Sequence, residues 1–189
     1  AAYGIDGDAE VPFVLRRNEG CAAFLDRVMR AEGAVLKCVN AKFTAIGITY
    51  AQELDARQNL EIDSNTPGAA YRKTDGCKLE TVNVITPYAQ GSATDTAVTT
   101  GESRTFTDLP AYSDITAGKW ARGLLMHNNR ASEQLTLPML FNPAMTAMIR
   151  VDVTSPTEMG GQWIADEVTH DLINEKTEVR LFRNLLTVR

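Results

Sequence analysis

Apolar residues early in the chain recur at helical spacing. Cys21, Phe24, Leu25, Val28 and Met29 follow i, i+3, i+4 intervals, which puts them on one face of a helix. Arg27, Arg30 and Glu32 fall elsewhere on the wheel. Asn18 is the expected N-cap, Glu19 suits the positive helix end, and Gly33 is the expected stop. Residues 34–39 and 43–50 then read as two strands around the Asn40-Ala41-Lys42 turn. Helix plus hairpin makes a first α+β unit.

Residues 51–76 are polar and turn-rich, with Pro67-Gly68 and Asp75-Gly76, and hold little that would nucleate a core. A strand is expected over residues 79–85. The Gly, Ser, Thr and Asp content of residues 91–102 predicts an exposed loop or weak hairpin, the best candidate for a mobile excursion. A second helix follows, capped by Ser113 or Asp114 and ended by Asn128-Asn129 in left-handed conformations. Trp120, Leu124 and His127 share one of its faces, with Ile115 and Leu125 near the edge. Gly118 and Gly123 each cost about 1 kcal/mol against alanine there, so close approach of another backbone is the expected compensation.

The tail alternates with period two. Gln134-Leu135-Thr136-Leu137 forms a strand ending at Pro138, and Ile149, Val151 and Val153 alternate with Met148, Arg150 and Asp152. Val168, His170 and Leu172 share a strand face, and Val179 and Leu181 oppose Arg180 and Phe182. Four strands with short turns and no intervening helix imply an antiparallel sheet or partial barrel. The fold class is therefore α+β, antiparallel β modules with two helices. Three segments follow: 1–63, 64–130 and 131–189, with packing as one continuous domain left open. No internal repeat or low-complexity tract is present.

Composition changes this picture little. The chain has 189 residues, 44% of them hydrophobic, enough to bury a core as one domain or two small ones. No apolar run approaches the roughly 18 residues of a membrane helix. The opening Ala1-Ala2-Tyr3-Gly4-Ile5-Asp6-Gly7-Asp8 matches neither a signal peptide nor a presequence, so a processed protein or excised fragment is expected. A net charge of −5 argues against a general grip on phosphate backbones. The basic pairs Arg16-Arg17 and Arg72-Lys73 are isolated, so sequence-specific nucleic-acid binding is not expected. Like-charge repulsion leaves open an acidic wall past which nucleic acid slides. Cys21, Cys38 and Cys77 lack the close spacing of zinc ligands and are odd in number, so buried reduced thiols are expected, with synthesis in the cytoplasm.

The chain has two histidines, so any Ser-His-Asp or Cys-His device must use His127 or His170. His170 lies between Val168 and Leu172 on an apolar face, where a packed, hydrogen-bonded histidine is expected ahead of a general base. His127 ends a helix, where the dipole favours its charged form. No GxSxG, HExxH, Walker or GxGxxG motif occurs. Asp166 and Asp171, five residues apart, fall on opposite strand faces and make no ready acid pair. No catalytic, cofactor-binding or metal-binding residue is assigned.

Two longer motifs carry a family resemblance. The first is Phe24-Leu25-Asp26-Arg27-Val28-Met29-Arg30-Ala31-Glu32-Gly33-Ala34-Val35-Leu36. The second runs from Gly161 and Trp163 through Val168-Thr169-His170-Asp171-Leu172 to Thr177-Glu178-Val179-Arg180-Leu181. Between them stand Trp120-Ala121 to Asn129-Arg130 and Glu133-Gln134-Leu135-Thr136-Leu137-Pro138. In this order the chain resembles bacteriophage tail baseplate hub proteins, the late-control tail proteins, whose relatives include the hub portion of type VI secretion spikes. Family members usually open with a further β module, and this chain starts nearer the first motif. The resemblance implies a structural protein of the virion tail, forming a trimer whose β modules build a ring between tail tube and central spike. It implies no enzyme activity, no cofactor and no membrane partner. Open β edges near the terminal hairpin would pair with a neighbouring subunit or an upstream strand. Two other readings remain: a tail-associated wall hydrolase using His170 or paired carboxylates, and a receptor- or carbohydrate-binding module with Tyr88, Tyr112 and Trp120 on one surface.

Overall fold

The computed structural model describes residues 2–3, 18–39, 42–63, 66–74 and 78–183. In chain order its elements begin with β1 (Ala2–Tyr3), α1 (Cys21–Ala31), β2 (Ala34–Val39), β3 (Lys42–Gly47), α2 (Ile48–Glu53), β4 (Gln58–Glu61) and β5 (Ala70–Lys73). There follow β6 (Thr81–Ile85), β7 (Gln90–Thr94), β8 (Ser103–Phe106) and α3 (Asp114–Asn129). Then come a 3-10 turn (Arg130–Ser132), β9 (Glu133–Leu140), β10 (Arg150–Thr154), β11 (Gly161–Asp171) and β12 (Lys176–Phe182). The fold is α+β, with three α-helices among the described residues where the sequence predicts two. Its sheets are antiparallel and mixed, and none closes into a barrel.

Two compact units divide the chain, and neither is contiguous in sequence. Of the described residues, the first unit takes those up to 48 and 78–129; the second takes 49–74 and 130–183.

In the first unit, α1 starts at Gly20, which offers no side-chain cap, because the expected cap Asn18 lies two residues further out at φ 52. Its end follows expectation: Gly33 adopts φ +67 and its N–H donates to Arg30 O at 3.1 Å. The hairpin is shorter than predicted. The β2–β3 ladder runs out at Ala34–Gly47, and the N–H of Ile48 donates to Gly33 O at 2.9 Å as α2 begins. The Asn40-Ala41 turn lies outside the described residues.

β6 pairs with β7 antiparallel and with β8 parallel, and α3 crosses β6 and β7. Val82, Val84, Ala93, Ala117, Trp120, Ala121 and Leu125 form the core beneath. Residues 91–94 thus belong to the β6–β7 hairpin, and Ala93, Asp95 and Val98 are buried, while residues 96–97 and 99–102 are exposed. A Cβ on Gly91 would lie 2.5 Å from the carbonyl carbon of Ala117 and 2.6 Å from Gly118 Cα, so the glycine that resembles a loop marker admits the helix. Ser113 caps α3 as expected, its Oγ accepting from Thr116 N–H at 3.2 Å. Asn128 and Asn129 do not stop the helix in left-handed geometry. Asn129 is buried and clamps Leu79, accepting from its N–H and donating to its carbonyl, each at 2.9 Å.

The second unit is a six-stranded sheet in the order β4-β10-β11-β12-β9-β5. Its four central strands are antiparallel neighbours, as the tail pattern predicts. The edges differ from expectation. The closing hairpin β11–β12 lies inside the sheet, and the edges β4 and β5 come from residues 51–76, the stretch read as core-poor. Ile62 from that stretch is 5% exposed and joins Leu135, Leu137, Met145, Val151, Val153, Trp163, Val179 and Leu181 in the core. Full burial of such a side chain contributes about 1.5–3 kcal/mol. Strand β9 runs on through Pro138 to Leu140. Proline is tolerated because the β5–β9 ladder ends at Ala70–Thr136, so no partner there needs its missing N–H.

Candidate functional site

The closing hairpin gathers the scarce residues of the second unit. Trp163 is 1% exposed and donates from Nε1 to Met159 O at 2.8 Å. The Arg183 guanidinium stacks over its ring at 4.2 Å, and Tyr71 meets it edge-on at 6.3 Å. Arg183 Nη2 donates to the carbonyls of Glu158 and Gly160, each at 3.0 Å, which fastens the turn leading into β11. Tyr71 donates its hydroxyl to Glu133 Oε1 at 2.8 Å. Burial first, then that carboxylate, pushes its phenol up to about 12. Trp163 is an anchor.

His170 shares the inner face with Val168 and is exposed, yet it is hydrogen-bonded as expected and meets the Phe141 ring edge-on at 5.5 Å. Leu172 leaves that face for the hairpin turn, 73% exposed. Both ring nitrogens of His170 are engaged. Nε2 lies 3.1 Å from Met145 O, a pure acceptor, so it carries a proton; in the neutral ring Nδ1 accepts from the Thr177 hydroxyl at 3.0 Å. Thr177 is fully buried, and its oxygen accepts from Asn142 N–H at 2.9 Å. Although Thr177 and His170 have nucleophile–base spacing, no substrate atom can reach that oxygen. The pair holds residues 142–145 against the hairpin.

The acidic candidates stay apart. A bulge between Ala165 and Glu167 turns Asp166 toward Arg130 and Arg180, at 3.7 and 3.8 Å. Asp171 organises the turn: its Oδ1 accepts from the N–H groups of Ile173 and Asn174, each at 3.0 Å, and its Oδ2 from Asn174 Nδ2 at 2.6 Å. The Asn174 side chain, above all, holds its carboxyl below the ordinary range. Among the described residues no group of His, Cys, Asp and Glu could hold a metal ion.

In the first unit, Glu32 and Gly33 of the first motif meet α3. Glu32 Oε1 accepts from Trp120 Nε1 at 2.6 Å, and Oε2 lies 2.8 Å from Lys119 Nζ. The expected backbone approach is present at Gly123, whose Cβ would overlap Ala31 O and lie 2.5 Å from Gly33 N. Trp120 is 2% exposed, so it joins no platform with Tyr88 and Tyr112. His127 is half-buried in the last turn of α3. Cys21 and Cys38 are exposed, contrary to expectation: the first turn of α1 is uncovered, and Cys38 sits on edge strand β2 opposite exposed Phe43. Cys77 lies outside the described residues.

Sequence reasoning missed Arg183 and Lys119, and named Thr177 and Glu133 as motif positions without giving them a partner. Lys119 adjoins Trp120, and Thr177 faces His170 across a four-residue hairpin loop, so both had a local signal. The partners of Arg183 and Glu133 had none.

The class so defined is a two-unit α+β scaffold whose polar clusters fasten loops and helices. Structural comparison places that fold among phage and prophage tail proteins. The chain matches the 43 kDa tail protein of prophage MuSo2 from Shewanella oneidensis with a TM-score of 0.66 and 12% identity, over 89% of this chain and 55% of that one. A tail protein from Neisseria meningitidis MC58 gives a TM-score of 0.65 at 12% identity, over 89% and 56%. A chain of the native gene transfer agent virion gives 0.61 at 13% identity, over 89% and 40%. The chain spans about half the length of the first two solved proteins. No protein-family model and no curated protein matches the sequence. Among the described residues no helix is long and apolar enough to cross a membrane.

Proposed function

We propose that this chain is a structural part of a phage or prophage tail, in the baseplate hub. Its copies form a trimeric ring between the tail tube and the central spike. The protein is made in the host cytoplasm and resides in the virion. The observation that carries this reading is a fold shared with solved tail proteins, in a chain whose two motifs both fall at packing joints. Glu32-Gly33 meets α3 in the first unit, and the second motif forms the centre of the six-stranded sheet. The role is non-catalytic, which the engaged state of His170 and the burial of Thr177 support.

Light scattering on the full-length protein is expected to give a trimeric mass. A strictly monomeric mass at every concentration would overturn the ring. His170→Gln addresses the catalytic alternative. If the wild type cleaves bacterial cell wall and an equally stable His170→Gln protein does not, the structural reading is wrong.

A further inference from the structure

Residues 141–149 join β9 to β10, and two side chains of the closing hairpin hold the middle of that connection. The N–H of Asn142 donates to Thr177 Oγ1 at 2.9 Å, and His170 Nε2 lies 3.1 Å from the carbonyl oxygen of Met145. His170 Nδ1 and Thr177 Oγ1 stand 3.0 Å apart and close the circuit. Met145 is fully buried in the core of the second unit, so the bond to its carbonyl also keeps a core side chain in place.

The circuit fits one charge state of the ring. A hydroxyl has one proton and two lone pairs. In Thr177 one lone pair takes the Asn142 N–H, and the proton goes to Nδ1 of the neutral imidazole. An imidazolium carries a proton on both nitrogens, so its Nδ1–H confronts the hydroxyl proton. That proton has nowhere else to go. Thr177 is 0% exposed, out of reach of solvent, and its side chain makes no other hydrogen bond among the described residues. A buried hydroxyl without an acceptor is unfavourable, whereas the His170 ring is exposed and relieves the conflict by swinging into water.

We propose that His170 is an acid-sensitive latch: its neutral ring fastens residues 142–145 over the hairpin, and its protonation frees them. No ionisable side chain lies in residues 141–149, so the neighbouring charges belong to the hairpin. Asp171 binds Ile173 and Asn174 in the turn, Lys176 sits opposite Asp171, and Glu178 pairs with Thr169 on the other face. Glu175 lines the recess beside Phe141, whose ring meets His170 edge-on. None of these four hydrogen-bonds the imidazole, so its charge state acts through Thr177. The other histidine of the chain, His127, belongs to the first unit. The latch is independent of the hub reading.

Amide hydrogen exchange of the full chain, followed by NMR as protection factors at about pH 8 and about pH 5, brackets the ordinary histidine range and tests it. Protection of the Asn142 and Met145 amides is expected to fall about tenfold on acidification, and the fall follows the His170 ring resonances. The ladder amides of Val179 and Leu181 are expected to stay protected. His170→Gln offers a donor and an acceptor but takes up no proton, and Thr177→Val, read at Met145, removes the hydroxyl. Both are expected to abolish the pH dependence, whatever their protection at the higher pH. A wild type equally protected at both pH values, a fall shared by Val179 and Leu181, a fall that does not follow the ring resonances, or one that persists in either variant overturns the latch.

Discussion

Replacing Gly123 with alanine tests how the first motif is held against α3. At an unconstrained site inside a helix, alanine gains about 1 kcal/mol over glycine. At Gly123 the new Cβ would overlap Ala31 O and lie 2.5 Å from Gly33 N and 2.9 Å from the Ala31 carbonyl carbon. All three are backbone atoms, so the end of α1 must move bodily. Overpacking of this kind costs about 1–3 kcal/mol. The displacement also strains the Glu32 contacts, a charged hydrogen bond from Trp120 of about 1.5–3 kcal/mol and an ion pair with Lys119. A net loss of about 2 kcal/mol is expected. Gly118 is the control: a Cβ there meets nothing within 4 Å, so Gly118→Ala should gain up to about 1 kcal/mol. Urea unfolding followed by tryptophan fluorescence reads both variants. The chain has two tryptophans, Trp120 in the first unit and Trp163 in the second, so a shared Trp163→Phe background isolates the relevant signal. Opposite shifts in midpoint at an unchanged slope are expected. A Gly123→Ala protein as stable as Gly118→Ala would refute the packing argument.

Other perturbations address the second unit. His170→Ala removes the bonds to Thr177 and Met145 and leaves a buried hydroxyl with no acceptor; a loss of about 1–3 kcal/mol is expected in urea titration. Arg183→Ala strips the stacked guanidinium from Trp163, so its fluorescence should shift red and stability fall by about 1–2 kcal/mol. Tyr71 has a raised folded value, about 12, against about 10 in the unfolded chain. The unfolded state therefore releases this proton first, so the stabilisation is full below about pH 10 and is lost as pH rises to about 12. Tyr71→Phe should flatten that part of the stability–pH curve; an unchanged slope would show that other groups cause it.

Much of the architecture was legible because it rests on local periodicity. Val151 and Val153, and Val179 and Leu181, alternate into the core as their spacing requires, and Gly33 ends α1 as its residue type requires. The errors share a different cause. Gly91, Pro138 and the Asn128-Asn129 pair resemble local punctuation in the sequence, yet each is settled by a partner distant in sequence. Gly91 admits α3, Pro138 lies beyond the end of β5, and Asn129 clamps Leu79. The polar stretch 51–76 supplies both edges of a sheet whose other strands lie at least 60 residues away. Scarcity drew attention to Trp163 and His170, but it could not distinguish anchors from catalysts. That distinction required Met145 O and Arg183, neither of which is near its partner in sequence.

The most direct test of the tail-hub account is electron microscopy of the full-length protein. The account expects ring-shaped particles with threefold symmetry, in which three copies surround a central opening. Particles that remain single copies, with no ring at any concentration or in the presence of tail tube protein, would contradict it.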